Sequence, residues 1–183
     1  MNSELLHIID GCKERNRDSQ KSLYFLTIAR MKSVLHRYCG DVNDAKDIMQ
    51  STYLNIFEKI GQFDTNKGDF DAWTRRILIN EYFQLLRKRK KIISLPETYI
   101  EDGESQSFDW SRFTIIEVKH VISKLSESHA LLLNLYFFEQ YEYKELADLL
   151  DIKESSVRGN LTRAKKAFEN QWAIFSNTSN MAI

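Results

Sequence analysis

The chain has 183 residues, 43% of them hydrophobic and 28% charged, and its 26 basic residues are balanced by 26 acidic ones. One proline and six glycines exclude a collagenous or low-complexity chain, and the length suits one ordinary domain or two small ones. A net charge of zero argues against an autonomous DNA binder, which usually carries a basic surplus to displace phosphate counterions, so any nucleic-acid role has to rest on local charge.

Apolar residues recur at helical spacing almost throughout, and alternating runs joined by hairpin pairs are missing; the pattern predicts an all-α fold. The N-terminal text, MNSELLHIIDGCKERN, lacks the basic start and apolar core of a secretion signal, and no apolar run approaches the roughly 18 residues of a membrane helix. A cytoplasmic protein without membrane insertion is expected. Helices are predicted from about Ser3 to Lys13, Asp18 to Tyr38, Asn43 to Ile60 and Asp69 to Lys91, with breaks near Gly11, Gly40-Asp41 and Gly61 to Gly68. Cys12 and Cys39 stand apart without a ligand spacing, and His7, His36, His120 and His129 are scattered. No disulfide, metal or cofactor is expected.

On the third predicted helix Ala45, Met49, Tyr53, Ile56 and Ile60 share a core side, whereas Asp47, Ser51, Leu54 and Glu58 share the opposite one. A leucine among acids suits a protein partner, although single surface leucines are also ordinary. The helix beginning near Asp69 puts Arg76, Asn80, Phe83 and Arg87 on one stripe and ends in five consecutive bases, Arg87 to Lys91. Bases beside an aromatic suit single-stranded DNA, which is held by cations on phosphate and stacking of unpaired bases. The same text also fits a core Phe83 and a solvated basic helix end stabilised by the macrodipole.

From Ser94 to Arg112 the composition changes: Pro96, Gly103, several serines, and Glu97, Glu101, Asp102, Glu104 and Asp109 against Arg112 alone. This reads as an acidic linker over 94–112, separating a helical domain over 1–93 from a second over 113–172, with a polar tail over 173–183. The second unit opens on Thr114-x-x-Glu117, a capping box, with Phe113 and Val118 placed as a hydrophobic staple. Helices follow over about Ile115 to Lys124, Ser126 (as cap) to Glu139, Tyr143 to Leu150 and Lys153 to Trp172.

Tyr143 to Lys166, YKELADLLDIKESSVRGNLTRAKK, has the short helix, four-residue turn and longer helix of a helix-turn-helix. Ala147 supplies the small residue for a close crossing, and Val157, Leu161 and Ala164 repeat toward the core. Asp151 stands where such a turn often has glycine, and Asp enters the left-handed region at modest cost. The outer face carries Arg158, Thr162, Arg163, Lys165 and Lys166, with Ser155 and Ser156 at its start, where hydroxyls suit phosphate oxygens. A solvated basic face in a small bundle has the same pattern. No enzyme constellation emerges: Asp44, Asp47 and Glu58 are helical neighbours without a nucleophile in register.

The segments DAKDIMQSTYLNIF (Asp44 to Phe57), FDAWTRRILIN (Phe70 to Asn80), LLRKRKK (Leu85 to Lys91) and Leu125 to Phe168, in that order around an acidic stretch, resemble bacterial RNA polymerase sigma factors of the sigma-70 family. The likeness is to the short extracytoplasmic-function group, which keeps only the second and fourth conserved regions. The resemblance implies a non-catalytic subunit that joins core RNA polymerase and reads promoter DNA. Asp47 and Gln50 match the Asp-x-x-Gln that docks on the β′ clamp helices, a surface continued by Leu54 and Glu58; the β flap is the second implied contact. The loop from Gln62 to Asp69, with Asp64, Asn66 and Lys67, takes the place of the loop that captures a base flipped from the minus-ten element. Asn80 lies beside that pocket, with Arg76, Phe83 and Arg87 on the same helix. Ser155, Ser156, Arg158, Thr162, Arg163 and Lys165 fall on the face that meets the minus-thirty-five duplex. Trp73 matches a family tryptophan and reads as packing, while Gly159 and Asn160 depart from the usual serine and base. The family also implies an anti-sigma inhibitor. The alternative is a stand-alone helix-turn-helix regulator with an N-terminal sensing bundle.

Overall fold

A computed structural model of the chain describes residues 3–89 and 109–180, which contain helices and turns and no strand. The chain divides into two compact units, Met1–Ile92 and Ile93–Ile183. The acidic linker lies outside the described residues except at its end. There Asp109 accepts hydrogen bonds from the Ser111 amide at 3.0 Å and hydroxyl at 2.6 Å, beginning a 3-10 turn over Trp110–Arg112.

Among the described residues of the first unit are the α-helices α1 (Ser3–Lys13), α2 (Arg17–Leu35), α3 (Val42–Lys59) and α4 (Phe70–Lys88), with a 3-10 turn over Ile60–Gln62 after α3. Gly11 does not break α1, as predicted, but sits inside it. A Cβ there would come within 2.1 Å of Ser19 Oγ and 2.8 Å of Ser19 Cβ, so the glycine answers to the close approach of α2. The turn that ends α1 places Arg15 at φ 59°, and Asn16 then caps α2 by accepting from the Ser19 amide at 3.0 Å. The second helix stops at Leu35, short of the expected Tyr38. Asp41 caps α3 through the amides of Asn43 and Asp44, both at 2.9 Å. Asp69, read as the first residue of α4, is its cap, accepting from Asp71 and Ala72 at 3.0 and 3.2 Å. Each Asp cap satisfies helix-end amides that would otherwise lack partners, worth about 1 kcal/mol apiece.

The four helices turn their apolar faces to one core containing Ile9, Leu23, Met31, Ile56, Phe70, Leu78 and Ile79. The predicted core side of α3 is buried at Met49, Tyr53 and Ile56, where the Tyr53 hydroxyl is hydrogen-bonded to that of Thr27 at 2.8 Å. Phe63, Phe70 and Trp73 form a ring cluster with centroids 5.1 to 5.7 Å apart. That cluster fixes the start of α4 against the loop before it.

The second unit contains α5 (Ile115–Ile122), α6 (Glu127–Leu133), α7 (Tyr143–Leu150) and α8 (Glu154–Asn180). Its capping box is formed: the Thr114 amide donates to Glu117 Oε2 at 2.8 Å and the Glu117 amide to Thr114 Oγ1 at 3.3 Å. Ser126 caps α6, but the single helix expected up to Glu139 becomes a π-helical turn over Asn134–Phe138. Asp151 adopts φ 55° and ψ 48° and closes α7, with the Ile152 amide donating to the Ala147 carbonyl at 3.1 Å. Val157, Leu161, Ala164 and Phe168 of α8 are each at most 1% exposed. This last helix passes Trp172, where it was expected to end, because its apolar spacing continues. Trp172 meets Phe113 at 4.7 Å, and Phe175 meets His120 at 4.9 Å. The segment read as a polar tail is therefore helical as far as Asn180.

Candidate functional site

Behind the left-handed turn at Asp151, α8 presents Ser155, Arg158, Thr162 and Lys166 to solvent, with Arg163 and Lys165 half-buried. Ser156 is a correction: at 8% exposure it lies with Val157 on the inner side of the helix, so its hydroxyl is not available to a phosphate. Asn160 is also inside, at 2% exposure. Its amide nitrogen donates to the Ser156 carbonyl at 2.8 Å, while its oxygen accepts from Arg163 Nη2 at 2.9 Å. A buried amide thus holds the guanidinium end of the half-buried Arg163.

Arg158 is held from two directions. Its Nη2 donates to Glu154 Oε1 at 2.6 Å, and its guanidinium carbon lies 4.6 Å from the centre of the Tyr143 ring. Tyr143 stacks on Tyr136 with centroids 5.7 Å apart and planes inclined by 23°, and Lys165 Nζ lies 4.8 Å over the Tyr136 ring. Neither tyrosine was singled out by the sequence reading, because the two rings come from different elements.

In the first unit Arg76, Asn80 and Arg87 are exposed along α4. Phe83 does not join them, which corrects the predicted stripe: it is 4% exposed and packs edge-on against Tyr82 at 5.3 Å. An unpaired base cannot stack on a ring already sealed in the core. Arg89 also turns from the expected basic run, pairing with Asp44 of α3, and Lys90 and Lys91 lie outside the described residues. The loop after α3 is tethered by buried Phe63. Beyond that tether Asp64 Oδ1 accepts from the backbone and side-chain nitrogens of Asn66 at 2.9 and 3.1 Å, and Gly68 at φ 156° closes the turn. Asn66 and Lys67 project into solvent while Asp64 organises them.

Asp47, Gln50, Leu54 and Glu58 all lie on the exposed side of α3, with Leu54 at 58% exposure. Gln50 and Leu54 border an open groove of about 720 Å³ between α2 and α3, lined on the far side by Tyr24, Ile28 and Leu35. Phe25, beside it on α2, is 64% exposed. The α2 wall was missed by the sequence reading, although the run Leu23-Tyr24-Phe25-Leu26 carries more apolar residues than one buried stripe can absorb. Among the described residues no group of three or more His, Cys, Asp or Glu side chains could hold a metal ion, and no helix is long and apolar enough to cross a membrane.

Residues 24–92 match the family model for sigma-70 region 2, and residues 115–168 match a model for sigma-70 region 4. The chain is 25% identical over 130 residues to the sigma factor SigM of Bacillus subtilis, covering 69% of this chain and 78% of that one. It is 20% identical over 181 residues to SigW of the same organism, covering 89% and 94%. With SigE of Mycolicibacterium smegmatis the identity is 23% over 154 residues, and the match spans 81% of this chain but only 59% of that relative. Among solved structures, the Bartonella quintana sigma factor RpoE, crystallised with the anti-sigma factor NepR, aligns with a TM-score of 0.48 at 18% identity, covering 84% of this chain and 96% of that one. With region 2 ending in an exposed basic helix and region 4 carrying a helix-turn-helix, the chain belongs to the sigma-70 family as an extracytoplasmic-function sigma factor, a non-catalytic subunit that directs promoter recognition by RNA polymerase.

Proposed function

We propose that this sigma factor docks on the β′ clamp helices of core polymerase through Asp47, Gln50, Leu54 and Glu58 and the adjoining α2–α3 groove, with the β flap receiving the second unit. The minus-thirty-five duplex then meets Ser155, Arg158, Thr162, Arg163 and Lys165. A melted minus-ten element meets Asp64, Asn66, Lys67, Arg76, Asn80 and Arg87. The observation that carries this reading is the exposure of Arg158 and Thr162 on α8 immediately behind the helix-turn-helix turn. An arginine in that position can bridge two acceptors of a guanine, and a threonine can touch a thymine methyl. For the minus-ten element, a preformed loop offsets the few kcal/mol lost when one base leaves its stack. The polymerase partner sets the compartment as the cytoplasm. An anti-sigma factor fits the same apolar groove, which would otherwise face water.

The test is transcription with purified core polymerase and promoters found by start mapping after overexpression. Arg158→Ala is expected to weaken recognition of the upstream element by about 1 to 3 kcal/mol while core binding stays intact. Asp47→Ala is expected to weaken core binding without changing which promoters are chosen. Loss of both functions together in either variant would break the division of labour proposed here.

A further inference from the structure

We propose that Tyr143 and Tyr136 are positioning residues for duplex recognition: their stacked rings hold Arg158 and Lys165 in a fixed register on α8. The inference rests on the reading that this face meets the minus-thirty-five duplex, and it adds which side chains aim the cations. Four groups lie in sequence, Arg158 over Tyr143 at 4.6 Å, Tyr143 stacked on Tyr136 at 5.7 Å, and Tyr136 under Lys165 at 4.8 Å. Arg158 and Lys165 are seven residues apart on one helix, which is about 10.5 Å of rise and nearly two full turns. The two tyrosines come from elsewhere. Tyr136 is carried by the π-helical turn over Asn134–Phe138 and Tyr143 opens α7. The widened turn and the start of the helix-turn-helix therefore bring one ring under each cation.

The manner of holding matters for what the cations can still do. A cation–π contact takes none of the five guanidinium N–H donors into a hydrogen bond. Stacking consequently restrains the side chain without occupying its donors. The Glu154 carboxylate restrains Arg158 differently, because it accepts from Nη2 itself and so occupies one of the donors that a base or phosphate could use. With the ring in place, exchange of partners does not release the side chain to free rotation. Burial, and after it the neighbouring Tyr136, raise the Tyr143 phenol above its ordinary 10.0. The ring therefore stays neutral throughout the neutral pH range, and its contribution is expected not to change with pH there.

The experiment uses the full chain bound to core polymerase and a duplex selected from a randomised pool by the unmodified holoenzyme. Tyr143→Leu is expected to weaken upstream-element binding about two- to fivefold, the range of one exposed cation–π contact, whereas Tyr143→Phe keeps the ring and retains the affinity. In the double variant with Arg158→Ala, the loss from Tyr143→Leu is expected to vanish, since the ring acts through the arginine. Tyr136→Leu paired with Lys165→Ala repeats the cycle at the other end and guards against a folding defect confined to α7. Equal loss in Tyr143→Phe and Tyr143→Leu would assign the effect to the hydroxyl and overturn the proposal, as would additive losses in either cycle. If Arg158→Ala weakens binding and neither ring deletion does, the positioning role fails alone. If Arg158→Ala has no effect, the reading of this face fails with it.

Discussion

A methyl group is too large for position 11. In most helix interiors Gly→Ala gains up to about 1 kcal/mol, because alanine loses less backbone freedom on folding. Here the added Cβ would sit 2.1 Å from Ser19 Oγ and 2.8 Å from Ser19 Cβ, and forcing atoms into a packed contact costs about 1 to 3 kcal/mol. The clash outweighs the propensity. Gly11→Ala is expected to lower stability in urea unfolding, and Ser19→Gly in the same chain to restore part of it; a stabilised single variant would show that α1 and α2 can separate freely. Asn160 follows a similar logic on α8. A buried amide is kept because both its ends are satisfied, one by a helix carbonyl and the other by Arg163. The resemblance marked position 160 only as a departure from the family's usual base.

At the scale of elements, local chemistry was legible where it is local. The Thr114–Glu117 box, the Ser126 cap and the left-handed Asp151 each depend on residues within a few positions of one another, so their spacing carries the geometry. Burial of Phe83 and the stacking of Tyr136 on Tyr143 depend on which neighbouring element arrives, and no spacing along one helix encodes that. The same holds for α8, which runs past Trp172 where Trp172 and Phe175 find Phe113 and His120.

The cap of α5 also makes a pH prediction. Hydrogen bonds from the Thr114 amide and hydroxyl hold the Glu117 carboxyl below its usual 4.5. A depressed carboxyl stabilises the fold above its unfolded-state value, and that contribution disappears as pH falls through the folded-state value. Glu117→Gln is therefore expected to be less stable than the parent at neutral pH and equal to it in strong acid. Thermal melting of the two proteins across that acid range checks the sign; a gap that widens on acidification would contradict it.

On the scale of the whole molecule, the equality of 26 bases and 26 acids has a physical consequence for DNA binding. Affinity for duplex without regard to sequence comes from releasing condensed counterions, at a slope of about 0.9 per neutralised phosphate. A chain with no surplus charge gains little from that source at physiological salt. Arg75, Arg76, Arg87 and Lys88 on α4 and Arg158, Arg163, Lys165 and Lys166 on α8 are only part of those 26 bases, and acids elsewhere, among them Asp47 and Glu58 on α3, bring the net charge to zero. Steering by the net field is therefore weak, and delivery by a larger enzyme has to replace it. The chain alone is expected to give no stable gel shift with promoter duplex at about 0.15 M salt, close to physiological ionic strength, and to give one once core polymerase is added. Within that complex, Lys165→Ala is expected to reduce the slope of log affinity against log salt by about one, the signature of a single lost phosphate contact. Tight binding by the chain alone, as paired copies on half-sites, would mean that local patches suffice and that core polymerase is not the source of affinity.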